Sequence, residues 1–139
     1  MAFEWQEYLG LAQELLTQPS AFPPGQEAKL RASASRAYYA AFCLARNWQR
    51  EHGAQDTAGA IRVEGSHQEV INRYRRQGHR QFWAIATNLG RLREVRVQAD
   101  YNDVVSPRFP TEVAETLLIA QSLIGAISSL NPAQFDPEA

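Results

Sequence analysis

The chain has 139 residues, 45% hydrophobic and 10% aromatic, with a formal net charge of −1. That length suits one domain, able to bury roughly two thirds of the surface it exposes when unfolded. Its single cysteine, Cys43, excludes an internal disulfide or a multi-cysteine zinc site and fits a reducing compartment.

The first ten residues carry two glutamates where a secretory signal would carry positive charge. No apolar run approaches the roughly 18 residues of a membrane span. The expectation is a cytoplasmic protein with no membrane association. Residues 4–17 form the first predicted helix, with Trp5, Tyr8, Leu9, Ala12, Leu15 and Leu16 on one face. Three prolines and a glycine in residues 18–25 interrupt it.

A long second helix is predicted over residues 26–51, with a buried stripe from Leu30 through Tyr38 and Phe42 to Trp48 that is rich in alanine. Glycines 53, 59 and 65 then mark a loop. Ser66-His-Gln-Glu69 has the spacing of a capping box, which predicts a short helix from Ser66 to about residue 76. A fourth helix is predicted over 79–102, where Gly90 hints at close packing or a bend. A break at 106–110 precedes a last helix over 111–130, apolar enough to sit centrally or against another subunit. The fold class is therefore all-α, an up-and-down bundle of four to five helices over residues 1–133. An acidic tail, 134–139, is expected to be disordered.

The charge is uneven. Thirteen of the fourteen basic residues lie between Lys29 and Arg96, opposed there by five acids, and all but one of the fourteen are arginine. Such an excess can serve an anion-binding surface, because arginine grips phosphate bidentately, or it can solvate helix faces and pair with neighbouring acids. No Walker loop, dinucleotide fingerprint, zinc-protease helix or nucleophile elbow is present. His52, His67 and His79 have no ligand-like spacing, and no metal or cofactor is indicated. Cys43, on the alanine-rich helix, reads as a small buried hydrophobe.

Two segments carry most information: Ser35-Arg-Ala-Tyr-Tyr-Ala-Ala-Phe42 and Leu92-Arg-Glu-Val-Arg-Val-Gln-Ala-Asp-Tyr101. Together, with His67 opening a helix between them, they resemble the HEPN superfamily, in particular its stand-alone bacterial and archaeal members. The resemblance covers residues 26–130. It implies a helical bundle, usually a homodimer, of the kind found in RNA-cleaving toxins, in partners of minimal nucleotidyltransferases and in other defence systems.

In active HEPN ribonucleases an arginine is followed after four to six residues by a histidine. Arg96 matches the arginine, but Tyr101, Asn102 and Asp103 stand at the downstream positions. Asparagine exchanges no proton near neutral pH, and tyrosine or aspartate would need a strongly shifted pKa. On an ideal helix Asp100 lies about 40° from Arg96, Asp103 about 20° on the other side, and Tyr101 about 140° away. Arg96 and Asp103 are thus the candidate catalytic pair. Arg36, Tyr39, Arg93, Arg96, Asp100 and Tyr101 are the candidate ligand-binding residues, Arg36 and Tyr39 being expected to face Arg96 across a cleft. The bland reading of the same residues is helix-surface ion pairing and core packing.

The expected function is binding of nucleotide, RNA or a nucleotidyltransferase-type protein partner, within a toxin–antitoxin or defence setting. An active ribonuclease toxin and a structural helical adaptor are the alternatives.

Overall fold

A computed structural model describes residues 2–17, 23–54 and 64–139, and these described residues form a bundle of five α-helices. They are α1 (Glu7–Thr17), α2 (Pro23–Glu51), α3 (Glu64–Arg75), α4 (Arg80–Tyr101) and α5 (Phe109–Ser128), followed by a 3-10 turn at Pro132–Gln134. No strand occurs among the described residues, and none of their helices is long and apolar enough to cross a membrane.

The central element is α2, which packs on all four other helices. Its alanines explain this: Ala34, Ala37, Ala40, Ala41 and Ala45 are all fully buried, and short side chains let neighbouring axes approach closely. That face is consumed inside the bundle and is not a surface for a second subunit. The last helix, α5, for which the sequence allows a place at the centre or against another subunit, buries one face, through Phe109, Val113, Leu117, Ala120, Leu123, Ile124 and Ile127, and leaves Leu118 68% exposed.

Buried polar groups cross-link the bundle. Ser33 donates to the Ala12 carbonyl at 2.8 Å, Gln49 to that of Val70 at 2.9 Å, and the Tyr74 hydroxyl to that of Ala45 at 2.6 Å. Each satisfies a donor whose burial without a partner would be costly.

The helix boundaries differ from expectation for identifiable reasons. Pro23 and Pro24 open α2 rather than preceding it, since a first-turn proline forfeits no intrahelical hydrogen bond. The third helix starts at Glu64, so Ser66 lies inside its first turn and is not the predicted cap. Gly78 adopts φ +75°, the left-handed region that glycine enters without penalty, and separates α3 from α4.

At its other end α4 stops at Tyr101 because Asn102 turns extended (φ −88°, ψ 129°). There the Arg31 guanidinium donates to the carbonyls of Ala99, Asn102 and Asp103 at 3.0, 2.7 and 3.3 Å. A cation on otherwise unsatisfied C-terminal carbonyls is the favourable end of the helix dipole. Gly90 does not serve close packing: a methyl group there would meet no heavy atom within 4 Å.

The tail is also placed. Phe135 is buried with its ring 5.0 Å from Trp48 and 5.8 Å from Phe82, and the Gln77 side chain brackets the Asp136 backbone with two hydrogen bonds, 2.9 and 2.7 Å. One aromatic anchor and a mimic of backbone pairing thus stand where acidic composition suggested disorder.

Candidate ligand-binding site around Arg96

Arg96 sits on the inner face of α4 and is only 5% exposed. A buried guanidinium requires compensation. Asp100, one turn on, supplies it: its Oδ2 lies 2.8 Å from Arg96 Nε. Ser35 on α2 donates to the same oxygen at 3.3 Å. Arg96 Nη2 donates to the Tyr39 hydroxyl at 2.6 Å. Around this core the guanidinium carbon stands 5.1 Å from the Tyr39 ring centre, 5.4 Å from that of Tyr101 and 5.8 Å from that of Tyr38, within the range of cation–π attraction.

The tyrosines differ in access. Tyr38 is fully buried, whereas Tyr101 is 63% exposed, so one ring caps the cation with its outer surface open to solvent. Behind the cluster the Tyr38 hydroxyl is 2.7 Å from His67 Nδ1. The His67 ring is stacked on Phe42, centroids 4.2 Å apart and planes 4° off parallel.

Of the sequence's candidates, Tyr39, Asp100 and Tyr101 therefore gather at Arg96. Tyr101 does so despite its unfavourable helical angle, because it is the last residue of α4 and both side chains are long. Arg36 does not: its guanidinium stacks over Tyr8 at 4.9 Å, since α1 packs against that side of α2. Arg93 reaches the other way, donating to Gln68 Oε1 on α3 at 2.7 Å. Asp103 lies beyond the helix end, exposed, with its carbonyl held by Arg31. Its seven-residue offset never becomes a helical one, so the helical register expected to bring it to the face of Arg96 is absent.

Helix periodicity puts Tyr38 in the core but carries no sign of the bond between its hydroxyl and His67, nor of the role of Arg31 at the end of α4. The adjacent tyrosines 38 and 39 were the available signal. Neighbours on a helix point about 100° apart, so one must pack toward α3 when the other meets α4.

The remaining groups of chemical interest are inert. Burial pushes the Cys43 thiol up from its ordinary range, against the opposing pull of Arg46 and Arg50, which disfavours the reactive thiolate. The His52 ring lies against that of Trp48, centroids 4.1 Å apart and planes tilted by 30°, with its Nδ1 2.7 Å from the Trp48 carbonyl oxygen. Among the described residues no cluster of three or more His, Cys, Asp or Glu side chains is arranged to hold a metal ion. Comparison of the chain with protein-family models, with curated proteins and with solved structures gave no match.

Proposed function

We propose that the chain is a HEPN-type helical module that binds nucleotide or RNA at the Arg96 cluster and lacks robust ribonuclease activity of its own. The carrying observation is the Tyr101 ring, exposed on its outer side and backed by a buried, paired guanidinium. Such a ring is a ready platform for a nucleobase, which stacks on aromatic side chains without needing sequence-specific hydrogen bonds. Arg96 itself is committed to Asp100 and Tyr39, so its role is to hold and polarise the platform. Titration of a labelled dinucleotide at low salt tests this: wild type binds, and Tyr101→Ala weakens binding about tenfold while the fold survives. No binding by wild type rejects the reading.

One observation favours the ribonuclease alternative. His67, with its Nδ1 2.7 Å from the Tyr38 hydroxyl, brings an imidazole, the side chain most often used for general acid–base work, to the aromatic wall of the Arg96 site. Incubation of labelled single-stranded RNA with wild type, Arg96→Ala and His67→Gln separates the readings. Absence of cleavage throughout supports the binding module. Cleavage lost in both variants makes the protein an enzyme, with His67 in place of the histidine missing after Arg96.

A protein partner of nucleotidyltransferase type, in a toxin–antitoxin or defence setting, and self-association as a homodimer belong to the same family-based proposal; Leu118, 68% exposed on α5, is an apolar side chain open to such contacts.

A further inference from the structure

Beyond Tyr101, the outer face of α4 carries exposed side chains that the Arg96 cluster does not use. Trp83 is 55% exposed, Val97 37% and Tyr101 63%. Positions 83, 90, 97 and 101 fall within about 40° of one another on the helix, forming a single outward ridge with Gly90 at its middle. Because Gly90 has open space above it, the ridge dips into a groove of about 460 Å³ between α3 and α4, lined by Gln68, Ile71, Arg75, Arg93, Glu94 and Val97. Arg75 borders the groove on the α3 side, and exposed Arg80 and Arg91 follow the opposite flank of the ridge. Arg75 and Arg93 outnumber Glu94 in the groove and Arg80 adds to them, so this side is cationic, while Arg91 stands at its border with acidic side chains. The neighbouring groove between α4 and α5 contrasts with it, presenting Glu94, Glu112 and Glu115 around Arg91.

From Trp83 to Tyr101 the ridge is about 27 Å long, the rise of roughly eight stacked nucleotides at about 3.4 Å each and fewer for an extended strand. Two exposed aromatic rings separated by a cationic, shallow track are what a flexible polyanion with stackable bases requires. A duplex would not reach the rings with its bases. We infer that a single-stranded nucleic acid lies along α4, stacking bases on both Tyr101 and Trp83 with its backbone along Arg75, Arg80 and Arg91. The inference rests on the nucleotide-binding reading of the Arg96 cluster and extends it from one platform to two. Charge complementarity selects this occupant over a second copy of the chain, whose α4 would bring the same arginines face to face.

The test is fluorescence anisotropy with labelled oligouridylates of two, four and eight nucleotides, repeated with oligothymidylate of eight, on wild type and Trp83→Ala. Trp83 is a surface side chain, so its loss spares the fold. Affinity should rise from the dinucleotide to the octanucleotide, and Trp83→Ala should weaken octanucleotide binding about tenfold with a much smaller effect on the dinucleotide. Equal binding of both lengths, or an octanucleotide affinity unmoved by Trp83→Ala, overturns the inference and leaves dinucleotide binding at Tyr101 standing. Failure of every length to bind sinks both. Tighter binding of the uridylate than the thymidylate octamer identifies RNA, and the reverse identifies DNA. Light scattering that reports a dimer dissociated by Trp83→Ala would also overturn it, by assigning the ridge to a second copy.

Discussion

The arginines of this chain fall into two populations that the sequence does not distinguish. One faces inward and is engaged: Arg31 holds the carbonyl end of α4, Arg36 lies on Tyr8, Arg46 on Trp5 at 5.7 Å, and Arg96 is held by Asp100 and Tyr39. The other, Arg75, Arg80 and Arg91, faces solvent along α3 and α4. A central excess of positive charge is thus partly architectural and partly available to a ligand. Substitutions in the first group should act chiefly on stability, and substitutions in the second on salt-dependent binding.

The sharpest break of that contrast is Arg96→Ala. It leaves Asp100 and the Tyr39 hydroxyl without their cation. Removing one member of a buried pair costs about 3–5 kcal/mol, and because Asp100 is 28% exposed and can rehydrate, the lower end, about 3 kcal/mol, is expected. Urea denaturation measures it; a change below about 1 kcal/mol would show that the pair is a surface feature. Arg31→Ala should cost less, about 1–2 kcal/mol, through loss of charge-assisted bonds to three carbonyls. Faster amide exchange confined to the end of α4 would locate the effect.

The tyrosines sharpen the same comparison. Tyr74 is buried with its hydroxyl on the Ala45 carbonyl, and burial pushes its pKa far above the ordinary value near 10. A raised folded pKa means that the stability from Tyr74 is complete below about pH 10 and is lost as pH climbs above it, because the unfolded chain ionises first. Tyr74→Phe should therefore cost about 1 kcal/mol at neutral pH yet flatten the alkaline fall in stability. Denaturation midpoints from pH 7 to 11 check both signs. At the outer extreme, Arg80→Ser or Arg91→Ser should leave the melting temperature unchanged. Each should lower the slope of log affinity for an oligonucleotide against log salt by about one phosphate contact. An unchanged slope would remove those arginines from the binding track.

Much of the fold was legible because helix periodicity and punctuation are local properties. Alanine-rich α2, the glycine at 78 and the prolines near 107–110 mark elements within three residues of their observed limits. What was illegible depended on long-range contacts. The end of α4 is set by Arg31, some seventy residues away, and without it a helix reaching Asp103 was a sound extrapolation. The place of the tail follows from Phe135 meeting Trp48 and Phe82, contacts that no composition argument contains. Within the candidate site, the i,i+4 pair Arg96–Asp100 could be read directly, and Tyr39 followed from the motif. Arg36 was misplaced because α1 takes that side of α2, and His67 could reach Tyr38 only once α3 had docked.

The most direct test of a nucleotide platform at Tyr101 is the affinity of wild type and Tyr101→Ala for one labelled dinucleotide at low salt, with melting temperatures recorded in parallel. The account predicts wild-type binding, about tenfold weaker binding by Tyr101→Ala, and equal melting temperatures. Equal affinity of the two proteins would contradict it, since the exposed ring over Arg96 would then bear no part of the ligand.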